Sequence, residues 1–554
     1  MRSFILLALL AAAAPASAAR TQPMPPASPL HGYVLGRYAY ADDSLGDAAR
    51  FFDAAREQDP GQPELRRRAF ALAIASGDQA RGFVLARQLA EAGEGDAEVS
   101  VVRLVEAVLK KDWRAAEVAR AGMAQAGYAS VVGPIVDGWI LFGRGKPEAG
   151  LKMLDPTRFT GFARSYIAEQ RAHMLAAAGR WPEAAQAYGE LRASTAAGIS
   201  FLRQGEADAL AQAGDKAGAL KLLEGGDGPM EAARARLAAG KRIGLLAPDA
   251  RRGLGWMCAR LAADLSRERP VPLAVLFARV STFLAPDVAA TWLIGGDVLA
   301  RSGQQESALT AYGKVLVDDA LADVALSRRA DVLESMGRDA DAGAILRTAA
   351  EAPAAGVGEW TRLGDWHRRA ERFGDAAEAY SRAIMLDGEA EANWGLWFLR
   401  GSMKERGGDW KGAEADLRVA LVRAPDEPIV LNYLGYSLLD RGVQIAEASS
   451  LIERAANLRP GDGGIVDSLG WSLYRQGRFG EAVETLERAA GLEPTDPTVT
   501  EHLGDAYWQV GRRIEARFRW RAALAMEPSD KQRKDIAAKL DFGLDAAPAM
   551  LAAK

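Results

Sequence analysis

At 554 residues the chain is longer than one compact core can fill, so it reads either as several domains or as an elongated array. Hydrophobic residues make up 49%, aromatic residues 7% and charged residues 26%, with Ala, Leu, Arg, Glu and Gly prominent and β-branched runs few, which is a helical composition. The net charge of −4, with both signs interspersed, argues against nucleic acid as a partner, because no basic footprint is present.

The first segment, MRSFILLALLAAAAPASAAR, combines Arg2, an apolar run from Phe4 to Ala14 and the small-residue site Ala16-Ser17-Ala18. It reads as a secretory signal peptide over residues 1–18, too short in its apolar part to span a membrane. No cysteine stands at the cleavage point, and the only cysteine is Cys258. Neither a lipoprotein anchor nor an intramolecular disulfide is therefore expected, and Cys258 reads as a small buried apolar residue. A Pro-rich leader follows over 19–29. The chain is expected to be soluble and exported, periplasmic in a Gram-negative cell, with no transmembrane segment.

From residue 30 a pattern recurs. Its first copy holds Leu35, Gly36, Ala48, Phe52, Ala55 and Pro60. Weaker copies continue to 224, as in GRWPEAAQAY, where Gly179, Ala184 and Tyr188 keep their spacing. Residues 225–272 break it with GGDG, the basic pairs Lys241-Arg242 and Arg251-Arg252, and ERPVP, and are expected to form an irregular joint between two superhelical halves. The pattern returns over 273–528, through Trp292, Gly296, Gly303, Ala308 and Tyr312, then Trp360, Leu363, Gly364, Ala376, Tyr380 and Ala383. The last three copies are the clearest. Leu434, Gly435, Gly442, Ala448, Ile452, Ala455 and Pro460 are followed by Leu469, Gly470, Gly477, Ala482, Leu486, Ala489 and Pro494, then by Leu503, Gly504, Tyr507, Gly511, Ala516, Trp520, Ala523 and Pro528. Prolines 425, 460, 494 and 528 lie 35, 34 and 34 residues apart. Residues 529–545, SDKQRKDIAAKLDFGLD, read as a polar capping helix, and 546–554 as a disordered tail.

The template has a physical reading. Small residues at the eighth and twentieth places let two antiparallel helices approach closely. Bulky residues at the fourth, seventh, eleventh and twenty-fourth places fill the gap to the next pair. Glycine near the fifteenth place accepts the positive φ of a helix end, and the closing proline stops the second helix. Each hairpin leaves one apolar face for the next hairpin to cover, so the predicted fold is all-α, a solenoid.

A 34-residue period with these residues resembles the tetratricopeptide repeat (TPR). The resemblance implies stacked helix-turn-helix units wound into a right-handed superhelix. It also implies that the second, fifth, ninth, twelfth and thirteenth residues of each first helix line a concave groove. In the last three copies these places hold Asn432, Tyr436, Leu439 and Asp440, then Asp467, Trp471, Tyr474 and Arg475, then Glu501, Asp505, Trp508 and Gln509. Tyr436, Trp471, Tyr474 and Trp508 on one side with charged neighbours look like a binding hot spot, with lateral packing against the adjacent repeat as the competing reading. TPR domains that grip chaperone C-termini carry Lys at the fifth place and Asn at the ninth of the first clamp repeat. The fifth places here, Tyr33, Leu293, Ser327, Thr361, Phe398, Asn432, Asp467 and Glu501, offer no such clamp.

Nothing in the sequence spells out chemistry. His31, His173, His367 and His502 are scattered without metal-ligand spacing and read as helix-face residues. GRGKPEAG at 143–150 lacks the glycine and hydroxyl of a phosphate loop, and GxSxG, HExxH and CxxC are absent. No enzyme activity and no cofactor or metal are expected, and an enzyme hidden in 225–272 has no nucleophile and base to support it.

The run LNYLGYSLLDRG, then VDSLGWSLYRQGRFGEAVETLERA, then EHLGDAYWQVGRRIEARFRWRAAL resembles proteobacterial envelope TPR proteins that act as adaptors for carboxyl-terminal processing (tail-specific) proteases. That resemblance implies protein partners, namely such a protease and its substrates, among them cell-wall hydrolases. Those adaptors are lipid-anchored, whereas this chain lacks the acylated cysteine, so tighter protein contacts would have to replace tethering. The alternative is a scaffold for an envelope assembly or polysaccharide export machine.

Overall fold

Acidic and hydroxyl side chains placed just before apolar stretches start helices along the chain. Asp96 accepts from the Val99 amide, Asp462 from that of Ile465, and Asp496 from those of Thr498 and Val499. At the other end of the hairpin turn, Gly442, Gly477 and Gly511 take φ of 67°, 77° and 83°, the left-handed conformation expected at the fifteenth place.

The computed structural model describes residues 28–545 except 195–198, 226–227, 245–246, 268–270, 317–318, 354 and 389–392. The segment read as a signal peptide, residues 19–27 of the expected leader and the expected tail at 546–554 lie outside the described residues. Among these the fold is all-α, built from thirty α-helices. Two compact units divide at 342/343, some way beyond the joint expected at 225–272.

The first unit opens with six hairpins, each a first and a second helix. They are α1 Pro29–Ala41 with α2 Leu45–Gln58, α3 Pro63–Ser76 with α4 Gln79–Glu91, and α5 Ala97–Leu109 with α6 Trp113–Ala121. Then come α7 Ala129–Gly143 with α8 Pro147–Met153, α9 Gly161–Ala177 with α10 Trp181–Ser194, and α11 Ile199–Gln212 with α12 Lys216–Leu222. α13 Gly228–Ala238, α14 Ala250–Leu265, α15 Pro272–Leu284, α16 Ala289–Arg301, α17 Gln305–Tyr312 and α18 Ala322–Ser335 complete it, and α19 Asp339–Ala350 runs across the division.

The second unit contains five hairpins. They are α20 Val357–Arg369 with α21 Phe373–Asp387, α22 Trp394–Arg406 with α23 Trp410–Arg423, and α24 Pro428–Asp440 with α25 Ile445–Leu458. α26 Gly463–Arg475 with α27 Phe479–Leu492 and α28 Pro497–Gln509 with α29 Arg513–Ala525 follow, and α30 Asp530–Phe542 closes the stack.

One contact repeats in both units. A Cβ added to Gly36, Gly296, Gly364, Gly470 or Gly504 would collide with Phe52, Tyr312, Tyr380, Leu486 or Trp520, each sixteen residues later. The eighth-place glycine thus admits the twenty-fourth-place side chain, and any larger residue would force the helices apart.

A second regularity was not anticipated. In three repeats whose ninth place is Asp, the twenty-fourth carries a polar-tipped aromatic that donates to it: Tyr312 to Asp297 at 2.7 Å, Tyr380 to Asp365 at 2.7 Å, and Trp520 Nε1 to Asp505 at 2.9 Å; the repeat with Asp331 has Leu346 there instead. The carboxylate satisfies a polar tip that burial of the ring would otherwise strand.

The first unit is not an open groove. The hairpin α14–α15 packs against α3, α5, α7 and α9, all of them first helices, the ones that the repeat resemblance places on the concave side. α15 is apolar almost all round, and every residue from Ala274 to Leu284 is buried, as expected of a helix enclosed on all sides. Phe277 meets Tyr128 edge-on at 5.2 Å, and Phe283 meets Phe83 at 6.3 Å. A Cβ on Gly253 of α14 would land on the ring of the fully buried Trp139 of α7.

Several polar groups at this interface are paired, whereas the buried Tyr128 hydroxyl has no protein partner. Trp139 Nε1 donates to Gln170 at 2.8 Å, Trp256 Nε1 to Glu169 at 2.7 Å, Tyr166 Oη to Asp264 at 2.6 Å, and Arg279 Nε to the Ala75 carbonyl at 2.7 Å. The segment read as an irregular joint therefore contributes α14, half of the element that fills the first unit. Cys258 is buried within it.

Of the four histidines, His31 lies exposed on α1 as expected, but the other three are not simple helix-face residues. His173, His367 and His502 are all buried. Burial pushes the His173 imidazole down to about 3, and its Nδ1 accepts from Tyr188 Oη at 3.0 Å and from the Ala247 amide at 3.4 Å, the arrangement of a neutral ring. No helix among the described residues is long and apolar enough to cross a membrane.

Candidate functional site

The groove positions fall on α24, α26 and α28, and the structure sorts them into three kinds. Glu501, Asp505 and Trp508 are taken up in the seam between α28 and α30. Lys539 of α30 reaches Glu501 at 2.6 Å and Asp505 at 2.7 Å, and Gln532 donates to Glu501 at 2.8 Å. Trp508 Nε1 donates to Asp545 at 3.1 Å, its ring lies 5.2 Å from Trp520, and the Arg513 guanidinium sits 3.8 Å above it. All three expected groove residues are buried. For Asp505 the reason is the ninth-place pairing, since its carboxylate answers Trp520 as well as Lys539. Burial raises the Asp505 pKa, against the opposing pull of Lys539.

Asp467 and Trp471 belong to a second group, organised around His502, which the sequence reading did not single out. Asp467 is 5% exposed and contacts His502 Nδ1 at 2.9 Å. The His502 ring stacks on Trp471 at 4.1 Å and 12°, and Tyr474 stacks on the other face of the indole at 4.6 Å and 7°. Trp471 is half-buried with both faces covered, so it offers a partner its edge and not a stacking surface. The signal available in the sequence was a carboxylate at one fifth place and a histidine 35 residues later, beside the next fifth place.

The third group remains accessible. Tyr436 and Asn432 are half-buried, Tyr474 is half-buried with Gln509 Nε2 3.4 Å from its hydroxyl, and Asp440, Arg475 and Gln509 are exposed. Asn432 Oδ1 is buried without a protein partner. Desolvation, then the nearby carboxylates of Asp467, Asp440 and Glu501, push the Tyr436 phenol up to about 12, with Arg475 acting in the opposite sense. Leu439 is fully buried and serves packing. Tyr436 and Trp471 occupy ninth places whose twenty-fourth places are Ile452 and Leu486, which need no acceptor. Those two aromatics therefore stand where other repeats keep a structural Asp.

The His502 pair has a pH signature. Although burial opposes it, the carboxylate of Asp467 raises the His502 pKa above 6.5. Its stabilisation is thus fully present below about 6.5 and is lost as pH rises through the raised value in the folded state. Wild type should be more stable than His502→Gln by about 1–2 kcal/mol at mildly acidic pH, and the gap should narrow on going alkaline. Thermal melts of both proteins across that range check it, and a gap that widens with pH would refute the assignment.

The tetratricopeptide repeat family model matches residues 361–428, 434–497 and 468–524. Over 83 residues the chain is 43% identical to a TPR repeat-containing protein of Pseudomonas aeruginosa, a stretch covering 15% of this chain and only 14% of that protein. Similar solved structures include MamA AMB-1, at 24% identity and TM-score 0.27 over 30% of this chain and 97% of MamA. A thermophilic TPR protein of Thermus thermophilus is similar at 21% identity and TM-score 0.29, over 33% and 98%. The APC/C hetero-tetramer Cut9-Hcn1 spans 93% of this chain and 96% of its own, at 14% identity and TM-score 0.36. Residues 361–428 and 434–524 thus carry tetratricopeptide repeats, a class of repeat that mediates protein–protein interaction.

Proposed function

We propose that the chain is a non-catalytic scaffold of the bacterial cell envelope whose second unit holds a segment of a protein partner along α24 and α26. One observation carries this reading: Tyr436, the Trp471 edge and Tyr474 remain accessible, with exposed Asp440 and Arg475 on the same two helices, while Trp471 and Tyr474 also pack against neighbouring repeats. The concave side of the first unit is occupied by its own hairpin, which leaves the second unit as the place for a partner chain. The apolar segment Phe4–Ala14 ahead of Ala16-Ser17-Ala18 supports export to the periplasm. The partner suggested by the resemblance of the last repeats is a carboxyl-terminal processing protease together with its substrates.

The test uses purified full-length protein and such a protease in a direct binding measurement. Tyr436→Ala combined with Arg475→Ala should weaken binding by about tenfold or more while leaving the melting temperature close to wild type, since neither side chain fills the core. Unchanged affinity would remove the groove from the reading. Recovery of an export or assembly component from periplasmic extract, in place of a protease, would favour an assembly scaffold over the protease adaptor.

A further inference from the structure

The first unit contains a cavity of about 250 Å³ that the filling of its concave side does not use up. It lies between α3, α5, the start of α15 and the turn from α16 into α17. Most of its wall is apolar, supplied by Phe70, Leu72, Ile74, Val275 and Leu276, and half-exposed Tyr40 stands at its rim.

Three polar groups in this wall accept, beside the Gln304 amide NH2 and the Tyr40 hydroxyl, which can donate. Gln304, which precedes α17, is 9% exposed, and its Oε1 is buried with no hydrogen-bond partner. The Ser302 hydroxyl spends its proton on the Val298 carbonyl at 2.8 Å, so only its lone pairs are left for the cavity. Glu98, solvent-exposed yet partly desolvated, adds a carboxylate whose pKa is raised by that desolvation first and by Asp96 second, only partly offset by Arg67. An amide oxygen, a hydroxyl oxygen and a carboxylate thus line one small apolar space, and all three accept.

We propose that this cavity binds a primary ammonium group carried on a compact apolar body. An ammonium brings three donors and a positive charge, matching three acceptors of which one is anionic. A neutral hydrocarbon would leave Gln304 Oε1 unpaired, and a carboxylate would meet Glu98 with like charge. Apolar cavities of roughly 150 Å³ accept benzene, so the space here suits a ring or branched chain of similar size plus an amine. Two sources supply that chemistry: a free small amine, or the N-terminal residue of a polypeptide that begins with an apolar side chain.

The experiment titrates full-length protein with phenethylamine and compares 2-phenylethanol and 3-phenylpropanoate, read by calorimetry and by shift in melting temperature. Phenethylamine should saturate at millimolar concentration and stabilise the protein, with the alcohol weaker by about tenfold and the acid showing no binding. Glu98→Gln, a change at a surface position in the first turn of α5, should weaken the amine by about fivefold and leave the alcohol unaffected. A tripeptide beginning with Leu, set against its N-acetylated form, separates the sources. Displacement of phenethylamine by the free tripeptide alone points to a polypeptide N-terminus, and displacement by neither form points to a free amine. Equal binding of amine and alcohol, an amine affinity indifferent to Glu98→Gln, or no saturation by about 20 mM would overturn the proposal.

Discussion

Trp139→Ala is expected to destabilise the first unit by about 4 kcal/mol, because it removes a fully buried indole from the contact between α7 and α14 and leaves Gln170 without its donor. Gly253→Ala on the facing helix should cost about 2 kcal/mol by the opposite route, overpacking, since its new methyl lands on the same ring. The combination discriminates between a filled concave side and independent defects. Once the indole is gone the methyl has room, so Gly253→Ala should cost almost nothing in the Trp139→Ala background. Urea unfolding of the four proteins measures this coupling. Additive losses would mean that α14 does not pack on α7 as described.

Lys539→Met should destabilise the second unit by about 3 kcal/mol, which for a unit of this size lowers the melting temperature by roughly 10 °C. Methionine fills the space of the lysine stem but leaves Glu501 and Asp505, 8% and 3% exposed, facing each other without their cation. The loss comes from stranded charge more than from the worth of the ion pair itself. Glu501→Gln with Asp505→Asn on top of Lys539→Met should therefore recover most of it, because the amide oxygen that Asp505→Asn introduces still accepts from Trp520. Calorimetry of the single and triple variants decides the matter. A triple variant no more stable than Lys539→Met would show that the cluster is held by something other than charge.

The repeat was legible because its packing residues recur at fixed places. Gly470 against Leu486 and Gly504 against Trp520 are the same contact written twice, so the period alone revealed both helices and their approach. Which of the expected groove positions stay accessible was legible only in part. Tyr436, Asp440, Tyr474 and Arg475 stand where the helical phase puts them, whereas Asp505 and Trp508 are claimed by Trp520 and α30, partners that no phase argument about α28 includes. The pairing of a ninth-place Asp with Tyr or Trp fifteen residues on was present in the sequence at three positions and could have warned that Asp505 is structural.

The filling hairpin was hidden for a different reason. Arg279 meets Ala75 from 204 residues away, and Trp256 meets Glu169 from 87, and contacts at such separations leave no periodic trace. An apolar helix such as α15 announces that it will be buried without saying against what.

That hairpin also sets an order of events during synthesis. Helices α3, α5, α7 and α9 are complete by Ala177, but the element that covers their inner side is not finished until Leu284. For the time needed to add the intervening residues, the nascent chain holds an apolar hollow with nothing in it, a surface that invites chaperones or wrong partners. Closure must then join segments some two hundred residues apart, a slow and non-local step. The second unit faces no such wait, since each of its hairpins is covered by the next one made. The two units thus differ in when they become safe from aggregation, and a chain caught between Ala177 and Leu284 is at its most vulnerable.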